Sequence, residues 1–139
     1  MNGDLGRAAA LYGQFVARHP QTMDCRIGLA RVEARQGLLG DAKRRILDVL
    51  KESPNNVDSL LVAGLVYWRE GDLEQAKRYL KKGAGLSLGY ADYHFILGRI
   101  EESQGHVAEA LMRYDRALEL QPDYADAARQ RLALGRRRR

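Results

Sequence analysis

Between residues 91 and 122, apolar side chains fall at Phe95, Ile96, Leu97 and Ile100. They return at Val107, Ala110, Leu111, Tyr114, Ala117, Leu118 and Leu120. Steps of three and four residues mark one face of an α-helix, so the segment reads as two helices. Gly105 lies between them and Pro122 follows the second. Glycine ends a helix because a left-handed residue costs little there, and proline cannot continue one. No alternating, strand-like pattern occurs in the chain, so the expected class is all-α.

The same two-helix phrase recurs. Steps of 34 residues from Gly3 reach Gly37, Gly71 and Gly105; from Ala8 they reach Ala42, Ala76 and Ala110. Asp24 leads to Asp58, Asp92 and Asp126, and Ala30 leads to Gly64 and Gly98. Pro20 leads to Pro54, fails at Leu88 and returns at Pro122. Several registers in phase at one period indicate a stack of supersecondary units. Gly64 and Gly98 fall in mid-helix, where glycine costs up to about 1 kcal/mol of helix propensity; close approach of a neighbouring helix is the expected reason. Gly83 and Gly85 are expected to weaken or bend the end of their helix.

These positions resemble the tetratricopeptide repeat, a 34-residue helix–turn–helix unit. In the last full unit Leu97, Gly98, Gly105, Ala110, Tyr114, Ala117 and Pro122 match its small and large positions. Arg26, Leu60 and His94 depart from it where the motif often has Trp, and Glu33 and Glu101 where it often has Tyr; Tyr67 fits. The resemblance covers essentially the whole chain and implies a right-handed superhelical solenoid of antiparallel helix pairs, about eight helices in one domain (1–139). The units run as a half repeat at 3–20, full repeats at 23–56, 57–90 and 91–124, a capping helix at 124–135 and a basic tail at 136–139. A half repeat at the start leads to the expectation that the native protein continues N-terminally.

The resemblance further implies a concave face lined by the first helix of each unit, suited to a partner's peptide or helix. Its groove positions carry Ile27, Arg31 and Arg35, then Leu61, Leu65, Trp68 and Arg69, then Phe95, Ile96 and Arg99. An apolar strip with an aromatic anchor and arginines has the composition of a binding hot spot, and Trp68 is the foremost candidate. The clamp that holds a C-terminal carboxylate in some family members needs Asn at groove positions. Here Arg31, Leu65 and Arg99 hold one of these and Gly28, Val62 and Ile96 another, so no such clamp is expected. The leading expectation is therefore a non-enzymatic scaffold for another protein, of the kind found in bacterial multi-protein assemblies. A second is a homo-oligomer formed through the half repeat, with Leu5, Leu11, Tyr12 and Phe15 on its open face.

Charge adds a third. Net charge is +5, and residues 124–139 alone, with six arginines and one acid, account for all of it. The run Arg136, Arg137, Arg138 and Arg139 could meet nucleic acid or an anionic membrane. No aromatic residue interleaves with it, so base stacking is not suggested, and a solvated, frayed end is the expectation. The aspartates one repeat apart are read as first-turn charges that favour the helix dipole by about 0.3–1 kcal/mol each. One cysteine (Cys25) and three scattered histidines make neither a disulfide nor a structural zinc set. No catalytic constellation, cofactor or metal is expected. The sequence shows no signal peptide and no run long enough to span a membrane, which points to a cytoplasmic protein.

Overall fold

The structure, a computed structural model, describes residues 6–7, 10–11, 13–14, 18, 22–87 and 89–138, the last without its side chain. Seven complete helices lie among the described residues: α1 (Met23–Arg35), α2 (Leu39–Glu52), α3 (Val57–Glu70), α4 (Leu73–Leu86), α5 (Ala91–Ser103), α6 (Val107–Leu120) and α7 (Ala125–Arg138). The first helices of successive units begin at 23, 57, 91 and 125, and the second helices at 39, 73 and 107, each step being 34 residues. No described residue is in a strand. Of the expected half repeat at 3–20, the described residues are all helical, and the rest of it lies outside the described set.

Local chemistry explains the boundaries. Gly37, Gly71 and Gly105 have φ of +87°, +86° and +80°, a conformation that L side chains rarely adopt. At the middle turn the Gly71 and Asp72 N–H groups donate to the Trp68 and Tyr67 carbonyls at 3.0 and 2.9 Å, occupying two otherwise orphaned acceptors. Asn56 caps α3 by accepting from the Ser59 N–H at 2.9 Å. Asp24, Asp58, Asp92 and Asp126 all lie in first turns, where a carboxylate suits the helix dipole.

Cα packing divides the chain into two compact units, Met1–Tyr79 and Leu80–Arg139, with the division inside α4. In the first unit α1 packs on α2 and on α3, and α2 packs on α3. Its core includes Ala30, Ala34, Ala42, Ile46, Val49, Leu60, Val62, Ala63, Val66 and Ala76, each at most 1% exposed. In the second unit α6 packs on α5 and on α7. One of its clusters joins Ala91, Ala117 and Ala127; the other joins Ala110, Tyr114 and Leu134.

Small residues mark close approach in that second unit. A Cβ added to Gly98 would lie 2.6 Å from the Tyr114 ring, and one added to Gly83 would lie 2.3 Å from the Tyr93 ring. Gly83 thus makes room for a ring, and α4 runs on through Gly83 and Gly85 to Leu86. The C-terminal boundary differs as well: α7 continues past 135 to Arg138, so the arginine run is helical that far rather than frayed. Arginine is a good helix former, cations suit a helix C-terminus, and Arg137 is fastened to Glu102 at 2.6 Å.

Candidate functional site

In the first unit the groove positions separate into floor and face. Ile27 and Leu61 are 3% and 8% exposed, so they form the floor where α1, α2 and α3 meet rather than a strip open to a ligand. Arg31, Leu65 and Trp68 are half-exposed and Arg35 is exposed. Arg69 is turned to a structural task. Its guanidinium donates to the Ala34 and Arg35 carbonyls at 2.6 and 3.0 Å, closing the C-terminus of α1. The Ala34 carbonyl also accepts from the Gly37 N–H at 3.2 Å, and a cation at this helix end suits the dipole. No ion-pair partner for Arg31 or Arg35 occurs among the described residues.

In the second unit Arg99 is half-exposed and Ile96 is buried at 8%. Phe95 is half-buried and packs against both apolar clusters, with ring centroids 6.0 Å from Tyr114 and 5.1 Å from Tyr124. Much of its ring is therefore committed to the interior of the unit. Leu11 is 60% exposed; Leu5, Tyr12 and Phe15 lie outside the described residues. Arg136 and Arg137 are exposed. The Arg138 side chain and Arg139 lie outside the described set.

Sequence reasoning missed a pair of repeat positions whose chemistry changes from unit to unit. Glu33 and Arg45 form an ion pair at 2.7 Å, the glutamate side chain being 9% exposed. One period on, the same positions hold Tyr67 and Tyr79, whose rings stack at 5.5 Å with an 8° interplanar angle. Two periods on they hold Glu101 and Arg113. These turn to other partners: His106 Nδ1 donates to Glu101 at 2.7 Å, and Arg113 donates to His94 Nδ1 at 3.2 Å. The signal that could have found them was the period itself, since stepping by 34 aligns Glu33, Tyr67 and Glu101, and Arg45, Tyr79 and Arg113.

Several titrations follow from these contacts. The hydrogen bond to Glu70 raises the pKa of Lys43, whose ammonium lies 3.0 Å from that carboxylate and 4.8 Å from the Tyr67 ring centroid. Burial raises the Tyr67 phenol, with the neighbouring Tyr79 adding to it. Burial lowers His94, and the charges of Arg113 and Arg116 lower it further. For Glu102, burial pushes upward, but hydrogen bonds from Tyr114 (2.7 Å) and Arg137 (2.6 Å) outweigh it and hold the carboxyl below its ordinary range. Burial, then the bond to Glu102, pushes the Tyr114 phenol well up.

These groups tie helices together. In the first unit a cleft of about 240 Å³ is lined by Arg26, Asp41, Arg44, Arg45 and Asp48, and each of its arginines is held in an ion pair. In the second, an open cleft of about 710 Å³ carries His94, Arg113 and the 71% exposed Met112 among charges of both signs. No cluster of three or more His, Cys, Asp or Glu suited to a metal ion occurs among the described residues. Among them, too, no helix is long and apolar enough to cross a membrane.

A family model described as tetratricopeptide repeat matches residues 2–57, 35–87 and 61–125. No curated protein matches the sequence. Among solved structures, the chain is similar to MamA at 19% identity and a TM-score of 0.75, over 96% of this chain and 78% of that one. It is similar to the first TPR of Spaghetti (RPAP3), a structure bound to the HSP90 peptide SRMEEVD, at 18% identity and a TM-score of 0.75, over 84% and 92% of the two chains. A mutant of the Thermobaculum terrenum O-GlcNAc transferase matches at 28% identity and a TM-score of 0.77, over 81% of this chain and 22% of the transferase.

Proposed function

The chain belongs to the tetratricopeptide repeat family, an all-α class of helix-pair solenoids, and from that premise we propose that it is a protein-interaction scaffold whose first-helix face binds a short segment of a partner protein. The segment lies across α1 and α3 of the first unit. Trp68 and Leu65 take its apolar side chains, and Arg31 and Arg35 take its acidic ones. Ile27, Leu61 and Arg69 hold that face in place from beneath and from its end. In the second unit, Arg99 at the register of Arg31 and Leu65 serves the same purpose.

One observation carries this reading. Trp68, the sole tryptophan of the chain, stays half-exposed on a helix whose Leu60, Leu61, Val62 and Val66 are buried. A large amphipathic ring left partly in water is the residue type that dominates binding energy at interfaces. The bound peptide of the Spaghetti domain shows that this fold can hold an acidic segment; the residues here call for a different recognition chemistry, since Arg31 and Leu65 replace clamp positions. A role within a bacterial assembly and a cytoplasmic setting are parts of the same proposal. The face supplies no nucleophile or general base, and the proposal assigns the chain no enzymatic step.

Selection from a random peptide display library tests the proposal, run in parallel on the wild-type chain and on Trp68→Ala and Arg31→Glu/Arg35→Glu variants of equal helicity. The expected result is a set of acidic, partly apolar peptides selected by the wild type and absent from the selections of both variants. An identical set selected by all three proteins would overturn it.

A further inference from the structure

α7 is a first helix by register, and the stripe that α6 covers on α5 is left open on α7. On α5 that stripe includes Ala91, 6% exposed, and Gly98, buried against the Tyr114 ring. On α7 the same two positions are Ala125, exposed, and Leu132, 57% exposed. The opposite side of α7 packs on the unit. Ala127 and Leu134 are 0% and 3% exposed within the two apolar clusters, and Arg131 and Arg137 are ion-paired to Asp115 and Glu102. α7 is thus a helix fastened along one side with an open face on the other.

The open face does not fit one more helix of the same kind. Its central residue, Leu132, stands where the three full units carry Ala30, Gly64 and Gly98. A helix packed on α7 as α6 packs on α5, with a ring at the register of Tyr114, would find no room beside Leu132, because even a Cβ at Gly98 meets that ring at 2.6 Å. An occupant must therefore ride higher, over the leucine. Arg129 and Arg136 flank Leu132 three residues before and four after, on the same side of the helix. The single acid of α7, Asp126, pairs with Arg129, an exposed i,i+3 contact of little energy that a ligand can exchange.

We propose that this face docks an acidic amphipathic helix of another protein. Apolar side chains of the ligand seat on Leu132 and the shallow ground of Ala125 and Ala128, and its carboxylates meet Arg129 and Arg136. A nucleic acid would gain no stacking, since α7 has no aromatic residue.

The test is fluorescence anisotropy on the full chain at low salt. Its probes are a labelled Leu/Glu amphipathic peptide of about five helical turns, its Leu/Lys counterpart, a short single-stranded RNA, and vesicles of phosphatidylcholine with phosphatidylserine. The variants are Leu132→Asp/Arg136→Glu, both at exposed positions, and Trp68→Ala. The expected result is saturable binding of the Leu/Glu peptide alone, weakened about tenfold or more in the α7 variant and unchanged in Trp68→Ala. Equal binding by the α7 variant, a preference for the Leu/Lys peptide, or α7-dependent binding of RNA or vesicles without the Leu/Glu peptide would each overturn it. So would a concentration-dependent dimer abolished by Leu132→Asp, which would make a second copy the occupant. Peptide binding lost only in Trp68→Ala would refute this site while supporting the first-helix face of α1 and α3.

Discussion

Replacing Gly98 by alanine adds one methyl group inside the second unit. Its carbon would lie 2.6 Å from Tyr114 Cε1 and 2.8 Å from Cδ1, closer than real side-chain contacts come. The ring has little freedom to yield: Tyr114 is fully buried, and its hydroxyl donates to Glu102 at 2.7 Å. Overpacking of this kind costs about 1–3 kcal/mol, and a pinned ring favours the upper half of that range. Alanine returns about 1 kcal/mol of helix propensity, leaving a net loss of about 1–2 kcal/mol. Gly135→Ala is the control, since an added Cβ there meets nothing within 4 Å; it lies within α7 and should stabilise by a few tenths to about 1 kcal/mol. Urea unfolding followed by circular dichroism reads both. At the registers of Gly98 and Tyr114 the first repeat carries Ala30 and Ile46, both fully buried, so Tyr114→Ile should recover part of the Gly98→Ala loss through a coupling of about 0.5 kcal/mol or more. A Gly98→Ala chain as stable as the wild type would refute the close-approach reasoning.

Arg45→Ala leaves the nearly buried Glu33 carboxylate unpaired and should destabilise by about 1–3 kcal/mol. Glu33→Tyr/Arg45→Tyr, which copies the Tyr67/Tyr79 pair, should melt at or above the temperature of the Arg45→Ala variant. Lys43→Met should cost up to about 1 kcal/mol through loss of the Glu70 pair and the Tyr67 contact, and added salt should shrink the difference. The pKa of His94 is lowered in the folded state by burial and then by Arg113 and Arg116. Its contribution is present above the ordinary histidine pKa of about 6.5 and is lost as pH falls through the folded value. His94→Gln should flatten the stability profile below about pH 6.5 relative to the wild type, and an unchanged acid limb would remove His94 from that role.

Much of the architecture was legible because a 34-residue period leaves its mark at residues with a single physical use. Gly37, Gly71 and Gly105 recur because the turn needs positive φ, and Gly98 because a ring lies against it. The face was only half legible. Periodicity reports that Ile27, Leu61, Leu65 and Trp68 are apolar or aromatic. It does not report that a first helix packed on two neighbours buries Ile27 and Leu61 while leaving Leu65 and Trp68 part open. Arg69 was beyond reach for another reason: its partners are backbone carbonyls a full repeat away, and these leave no trace in residue identity. Phe95 read as a groove residue because its register says so, yet Tyr114 and Tyr124 draw its ring inward. Arg137 read as part of a loose tail, because an ion pair to Glu102 joins residues 35 apart in sequence.

The measurement that bears most directly on the scaffold reading is the fluorescence of Trp68, the one tryptophan in the chain. A display-selected acidic peptide free of tryptophan is titrated into the wild-type protein while the emission is recorded. The account predicts a saturable blue shift as the ring loses water, with a midpoint that Arg31→Glu/Arg35→Glu moves to higher peptide concentration. Saturable binding by calorimetry with no change in Trp68 emission would contradict it and place the ligand elsewhere on the molecule.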